Sequence, residues 1–322
     1  MVIRIGLIGC GVVTQKAHIP AIIKDQRFRI TALCRRKVDK LEPIKSQFPH
    51  AKIYSDANKL MESGEVDCVL VATDVDSHLS IAQVALNNNL FVLLEKPVSS
   101  SSKSIKEFIE TNGDRSNRLM VAFNKRFYPG IIKFDELRKS GELGNLVGCT
   151  MSFFTQHGRK EGEAGVLQNL IHYCDLLCWL LGKPKEVNAK FSSILNDNKR
   201  GKTISTSILT ENGCTVNLFY TSSANWRLPV HERIEAIDDK NNHAYIENAD
   251  KLILTKFNQS ETQIMLFSES NSVFWKPDPF GYDAQISKFG DLVEGKLLES
   301  SPNLKDALNA QMLFEKIFEF NR

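Results

Sequence analysis

The sequence predicts an α/β fold in two parts. The first is a doubly wound parallel sheet, and the second is an α+β domain with a large, open, mostly antiparallel sheet. Three observations predict it. Up to about residue 123, short apolar runs rich in β-branched residues alternate with amphipathic helical stretches. A glycine turn, Gly9-Cys10-Gly11, follows the first of those runs directly. From about residue 146 the pattern changes to one long apolar helix followed by β-like runs separated by turn residues.

In the first part the strand candidates are Val2–Ile8, Arg29–Arg35, Lys52–Tyr54, Val66–Ala72, Leu90–Glu95 and Leu119–Phe123. They are apolar without strict alternation, as expected of strands buried on both faces, and helices fill the gaps. One such helix is 77–88, with Leu79, Ile81, Ala82, Ala85 and Leu86 on its apolar side. The four serines at 99–102 read as a loop and helix cap. In the second part a helix over 165–181 precedes β-like runs at 185–195, 203–210, 214–221, 231–238, 243–247, 251–256 and 262–267. Turn residues between them argue for antiparallel pairing, with helices on one face. Two amphipathic helices close the chain. The domains are set at 1–123 and 124–322.

Composition narrows the function. The 322 residues are 42% apolar and 25% charged, with a formal net charge of +3. That balance belongs to an ordinary globular protein and argues against nucleic acid as a partner; the densest basic cluster is only Arg35-Arg36-Lys37. No apolar run is expected to reach the roughly 20 residues that cross a bilayer, so no membrane association is expected. Leu7-Ile8-Gly9-Cys10 resembles a lipoprotein cleavage box, but the six residues before it carry one charge, Arg4, too little for a signal peptide. Seven cysteines in no regular spacing read as reduced thiols, and the expected compartment is the cytoplasm. Cys174 and Cys178 lie one turn apart near His172. Their apolar neighbours favour a core helix over a metal site, and no metal is expected.

The glycine turn carries the first functional reading. Gly9 supplies a tight backbone, and Gly11 lets the main chain approach a pyrophosphate seated on the next helix N-terminus, with Val12 and Val13 beside it. Thr14 stands where the third glycine of that pattern usually falls, so the match is partial. An NAD site usually ends its second strand on a carboxylate that binds the ribose hydroxyls. Here Arg35, Arg36 and Lys37 occupy that place. A guanidinium pairs with a 2′-phosphate, so NADP(H) is the expected cofactor, with NAD(H) as the alternative. A solvated basic loop is the other reading of those residues.

The stretches "GLIGCGVVTQKAHIPA", "VATDVDSHLSIAQVAL", "LLEKP", "VAFNKRF", "GELGNLVG", "HYCDLLCWLLG", "HERIEAI", "GYDAQISKFGDLVEG" and "DALNAQ" resemble, in order and spacing, the glucose–fructose oxidoreductase, inositol dehydrogenase and MocA family along the whole chain. The resemblance implies an N-terminal Rossmann domain, a C-terminal open sheet and an active site between them. It implies hydride transfer at a hydroxyl-bearing carbon of a sugar, nucleotide-sugar or cyclitol, and a homodimer or homotetramer. By resemblance Lys96 is the active-site lysine, able to polarise a carbonyl or hold an alkoxide, with a pKa lowered by partial desolvation. Glu95 then orients the amine; the bland alternative is a surface pair.

Relatives commonly carry Asp four residues before the helix histidine. Here His172 is present, but 168 is Gln and 169 is Asn, amides that hold a substrate hydroxyl or fix a ring tautomer without taking a proton. His172 is then the main acid/base, or a satisfied core histidine. Asp175 is its carboxylate neighbour or a supporting group. Thr73, Asp76 and His78 follow the fourth strand, where ribose and phosphates pass. Asn124 and Arg126 face cofactor amide or substrate, or Arg126 forms a salt bridge between domains. Tyr282 and Asp283 lie near the substrate pocket of relatives. The short loop with His157, Arg159 and Lys160 favours a large substrate. Two alternatives stay beside the dehydrogenase: a reductase of imines or other double bonds, and a non-catalytic cofactor-binding sensor or scaffold.

Overall fold

A computed structural model describes residues 2–156, 162–196, 199–225, 228–248, 250–267, 280–296 and 301–320. His157, Arg159 and Lys160 lie outside the described residues. The chain divides into two compact units, Met1–Asn124 with Trp275–Leu308, and Lys125–Phe274 with Asn309–Arg322.

The first unit is built on strands β1 (Ile3–Ile8), β2 (Phe28–Cys34), β3 (Lys52–Tyr54), β4 (Cys68–Val71), β5 (Phe91–Leu94) and β6 (Leu119–Val121). All pair in parallel, in the order β3-β2-β1-β4-β5-β6. Helices α1 (Ile19–Lys24), α2 (Glu42–Lys45), α3 (Ala57–Met61), α4 (His78–Asn87) and α5 (Ser102–Asn112) connect them. Ile5, Leu7, Val69, Leu70, Val92 and Leu93 are fully buried, which explains runs with no polar face. Helix starts are set by side-chain caps. Asp56 accepts from the amides of Asn58 and Lys59 ahead of α3, and Ser101 accepts from Ser104 ahead of α5, as the serine run foretold.

The strand order reverses at β1/β4. In such sheets ligands bind outside the carboxyl ends of the strands at that switch point. Because every strand runs the same way, the residues after β1, β2, β4, β5 and β6 all emerge on one edge.

Helix α8 (Tyr282–Val293) belongs to this first unit, whereas the sequence reading ran the second domain unbroken from 124 to 322. The reason is packing. Phe289 stacks on Phe28 at 6.2 Å, and Arg27 binds Asp25, Asp291, Glu294 and the Ser287 carbonyl together.

The second unit contains α6 (Pro129–Lys139), β7 (Leu146–Phe154), α7 (Gly162–Leu181), β8 (Pro184–Asn196), β9 (Lys199–Thr210), β10 (Thr215–Thr221), β11 (Glu232–Asp238), β12 (His243–Glu247), β13 (Lys251–Thr255) and β14 (Gln263–Leu266). Helix α9 (Leu304–Glu319) carries the boundary between the units at Leu308. The sheet runs β14-β13-β12-β11-β7-β10-β9-β8 and is antiparallel except at β7/β10. Alternation decides its faces. Along β11, Ile234, Ala236 and Asp238 are buried while Arg233, Glu235 and Ile237 are exposed. Helices α6 and α7 pack against this sheet. The central strand β7 was not among the foreseen runs. Its buried Cys149, Met151 and Phe153 alternate with Gly148, Thr150 and Ser152, so half of it is small or polar.

One expectation is corrected. Among the described residues, α7 is long and apolar enough to cross a membrane by length and composition. It is 67% buried inside the protein over that window, where a core helix would sit. All seven cysteines are free thiols.

Candidate active site

The glycine turn closes β1. Gly9 holds φ 89°, and a Cβ there would lie 2.3 Å from the Ala72 carbonyl oxygen at the end of β4. Only glycine fits that close crossing of two strand ends. At Gly11 a Cβ would meet no protein atom within 4 Å. The space beside Gly11 is therefore left open, which suits the close approach of a pyrophosphate. Val12 and Val13 sit exposed at the turn's tip.

Thr14 replaces the usual third glycine with a purpose. It is buried, and its hydroxyl donates to the Gly9 carbonyl at 2.7 Å, stapling the turn from the helix side. Gln15 donates its amide to the Cys10 carbonyl at 3.0 Å. The first helical turn, Thr14–His18, is a π-turn leading into α1. π-turns occur often at functional sites. Arg35 reaches back from β2 to the Cys10 carbonyl at 3.3 Å, which ties it to this turn. Arg36 projects into solvent, 93% exposed, 3.8 Å from Asp74. The residues present fit a dinucleotide.

At the end of β4, the Thr73 hydroxyl accepts from Ser77 at 2.8 Å, and Asp76 is exposed. His78 was expected near a ribose. Instead its ring is buried, with Nδ1 2.9 Å from the Pro97 carbonyl oxygen and Nε2 3.1 Å from the Thr73 carbonyl oxygen. Burial depresses its pKa against the pull of those carbonyls. His78 thus links the end of β4 to the proline that follows Lys96.

Lys96 emerges just after β5, and the Lys96-Pro97 bond is cis. Glu95 holds this backbone. Its Oε2 accepts from the Lys96 amide at 3.0 Å, and its Oε1 accepts from His18 Nε2 at 2.7 Å. Burial pushes the Glu95 carboxyl up, but His18, the Lys96 charge and the Lys96 amide outweigh it and hold the pKa below the usual carboxylate range. The ring edge of Tyr282 meets His18 at 5.2 Å and 85°. Burial, with Glu95 nearby, raises the Tyr282 pKa, which keeps its hydroxyl neutral. Asp283 pairs with Lys24 of α1. Asn124, after β6, donates to the Phe280 carbonyl at 3.0 Å.

In the second unit, α7 sets Gln168 and His172 one turn apart, hence on one face. Gln168 is half-buried and His172 buried. Asn169 donates to the Gly165 carbonyl at 3.3 Å. Arg126, expected against substrate, is 3% exposed and grips Asp175 with Nε and Nη2 at 2.8 and 2.5 Å. The ring of Trp179 lies 4.8 Å from its guanidinium. This is an ion pair within the second unit, and it engages both oxygens of Asp175. Lys125 pairs with Glu232 among the rings of Tyr128, Phe153 and Tyr173.

Sequence reasoning assigned no role to His18, although it stands in the quoted "AHIPA". Its signal was a polar ring on an otherwise apolar helix start, just past the glycine turn.

Sheet order, glycine turn and switch-point edge define a dinucleotide-binding fold. Residues 3–123 match the oxidoreductase family with an NAD-binding Rossmann fold, and residues 131–240 match the GFO/IDH/MocA C-terminal domain. The chain belongs to the Gfo/Idh/MocA oxidoreductase family. It is 28% identical to D-apiose dehydrogenase of Rhizobium rhizogenes over 65% of this chain and 63% of that one. It is 24% identical to inositol 2-dehydrogenase of Salmonella paratyphi B over 57% of this chain and 56% of that one. The matched stretches thus span less than two thirds of either relative. An oxidoreductase from Agrobacterium radiobacter, solved with NAD+, L-tartaric acid and magnesium, shares the fold with a TM-score of 0.87 at 22% identity, covering 99% of this chain and 96% of that one.

Proposed function

We propose that the protein is an NADP(H)-dependent oxidoreductase acting on a hydroxyl-bearing carbon of a sugar, nucleotide-sugar or cyclitol. The observation that carries this reading is Lys96, set after β5 on the switch-point edge of a dinucleotide-binding sheet, its backbone fixed by Glu95. When bound, the nicotinamide supplies or accepts the hydride. Gly9, Gly11, Val12 and Val13 seat the pyrophosphate, Thr73 lies along the ribose path, and Arg35 and Arg36 favour the 2′-phosphate. Lys96 holds the substrate oxygen as its charge changes, and His172 moves its proton. Gln168, Asn169, Asn124 and Tyr282 orient hydroxyls, while Arg126 acts through Asp175 and α7.

Curated relatives named for D-apiose and inositol support the substrate class. The free thiols support a reducing compartment such as the cytoplasm. Self-association into a dimer or tetramer is part of the reading. The sheet face bearing Thr150, Ser152 and the Phe154–Phe219 ring pair supports it, and size-exclusion with light scattering tests it.

The test of activity is nicotinamide absorbance with a panel of sugars, cyclitols and nucleotide-sugars, and KM for NADPH against NADH. Turnover with a KM at least about tenfold lower for NADPH is expected. Equal or better use of NADH overturns the cofactor preference. The amide at Gln168 favours a second reading, a non-catalytic sensor. Dinucleotide binding without turnover on that panel or on imines would establish it.

A further inference from the structure

His18 stands in the helix start that receives the pyrophosphate, yet its side chain points away from solvent. It is 0% exposed, and one ring nitrogen is spent on Glu95 at 2.7 Å. Nδ1 has no hydrogen-bond partner among the described residues. A fully buried imidazole is not placed so for packing alone, since an apolar residue would fill that space without an unmatched nitrogen. What the imidazole provides is a fixed donor for Glu95.

Glu95 has a second task, because its other oxygen accepts the Lys96 amide at 3.0 Å. One carboxylate therefore joins the π-turn Thr14–His18 to the main chain that carries the amine. The ring of Tyr282 packs edge-on against His18. The Thr14 staple to Gly9 closes the other end. From the turn where phosphates would lie to the base of the Lys96 side chain, the contacts run unbroken within one unit.

We infer that His18 is a positioning residue, which through Glu95 fixes Lys96 relative to the dinucleotide-binding turn. The inference rests on the reading of Lys96 as the active-site amine, and it extends that reading to a residue that touches neither substrate nor cofactor. Its value lies in alignment, because reacting groups misplaced by a fraction of an ångström lose rate far more than affinity.

The test compares wild type, His18→Ala, His18→Gln, Glu95→Gln and Lys96→Ala. Glutamine at 18 still offers an N–H to Glu95. Glutamine at 95 has one acceptor oxygen where the carboxylate has two, so it cannot accept from His18 and from the Lys96 amide through separate oxygens as Glu95 does, and it serves if His18→Ala fails to fold. The first readout needs no substrate. It is the rate at which trinitrobenzenesulfonate modifies Lys96, followed by peptide mass spectrometry and normalised to the exposed Lys103. His18→Ala and Glu95→Gln should change that rate at least about threefold, and His18→Gln should restore it. The second is the split of kinetic constants. His18→Ala should lower kcat by about tenfold or more while the dinucleotide Kd stays within about threefold, with recovery in His18→Gln.

An unchanged Lys96 rate in His18→Ala overturns the inference, as does a glutamine variant no better than alanine. Full turnover in Lys96→Ala would sink the active-site reading instead, while the labelling arm would still decide whether His18 sets the position of that lysine.

Discussion

Two largely buried carboxylates, one in each unit, are used in opposite ways. Asp175 on α7 is 1% exposed and meets the guanidinium of Arg126 with both oxygens. Glu95 divides its oxygens between an imidazole and a main-chain amide. The first arrangement neutralises a buried charge. The second fixes where a backbone turns. The difference separates a group whose loss costs stability from one whose loss costs alignment.

Asp175→Ala should therefore destabilise the protein by about 3–5 kcal/mol in chemical denaturation, because it removes a carboxylate that grips the buried Arg126 with both oxygens. Dinucleotide affinity should stay at the wild-type value, since the glycine turn belongs to the first unit. Glu95→Gln should do the reverse, with a loss of about 1 kcal/mol or less in stability and about tenfold or more in turnover. Equal destabilisation by both substitutions would erase the distinction.

The sequence revealed these two regions unevenly. The six parallel strands, the glycine turn and the basic end of β2 were legible because each is local. A run of apolar residues, a dipeptide spacing and a charge type can all be read within a few positions. Thr14 was legible only as a departure from a pattern, since its bond to Gly9 depends on how the π-turn opens. Strand β7 escaped because Gly148, Thr150 and Ser152 dilute its apolar face, although Cys149, Met151 and Phe153 alternate correctly. The pairings Arg126–Asp175 and His18–Glu95 span 49 and 77 positions, and no local pattern announces such partners. The return of α8 to the first unit escaped for the same reason. It depends on Arg27 and Phe28, more than 250 positions away from Asp291 and Phe289.

The glycine turn offers the next contrast, between two neighbours with different constraints. Gly9→Ala forces a Cβ into the Ala72 carbonyl at φ 89° and should cost about 1–3 kcal/mol of stability before any ligand is added. At Gly11 an added Cβ meets no protein atom within 4 Å and no positive φ stands against a side chain, so thermal unfolding of Gly11→Val should match wild type. Its dinucleotide Kd should rise by about tenfold or more, because the branched side chain fills the space that a pyrophosphate needs. Isothermal titration beside calorimetric unfolding checks both. A Gly11→Val protein with unchanged affinity would remove the turn from the binding site.

The smallest effect concerns acid. The folded Glu95 carboxyl titrates below its ordinary value of 4.5, so the unfolded chain binds that proton first as pH falls. Its contribution to stability is fully present above 4.5 and is lost as pH drops through the folded value. Glutamine at 95 has no proton to gain. The stability gap between wild type and Glu95→Gln should therefore narrow as pH falls from about 4.5 through the folded value, by about 1.4 kcal/mol for each unit of depression. Urea titrations across that range measure it. A gap that stays constant would mean that the carboxylate is no better held by His18 and the Lys96 amide than by water, and the contrast with Asp175 would lose its electrostatic half.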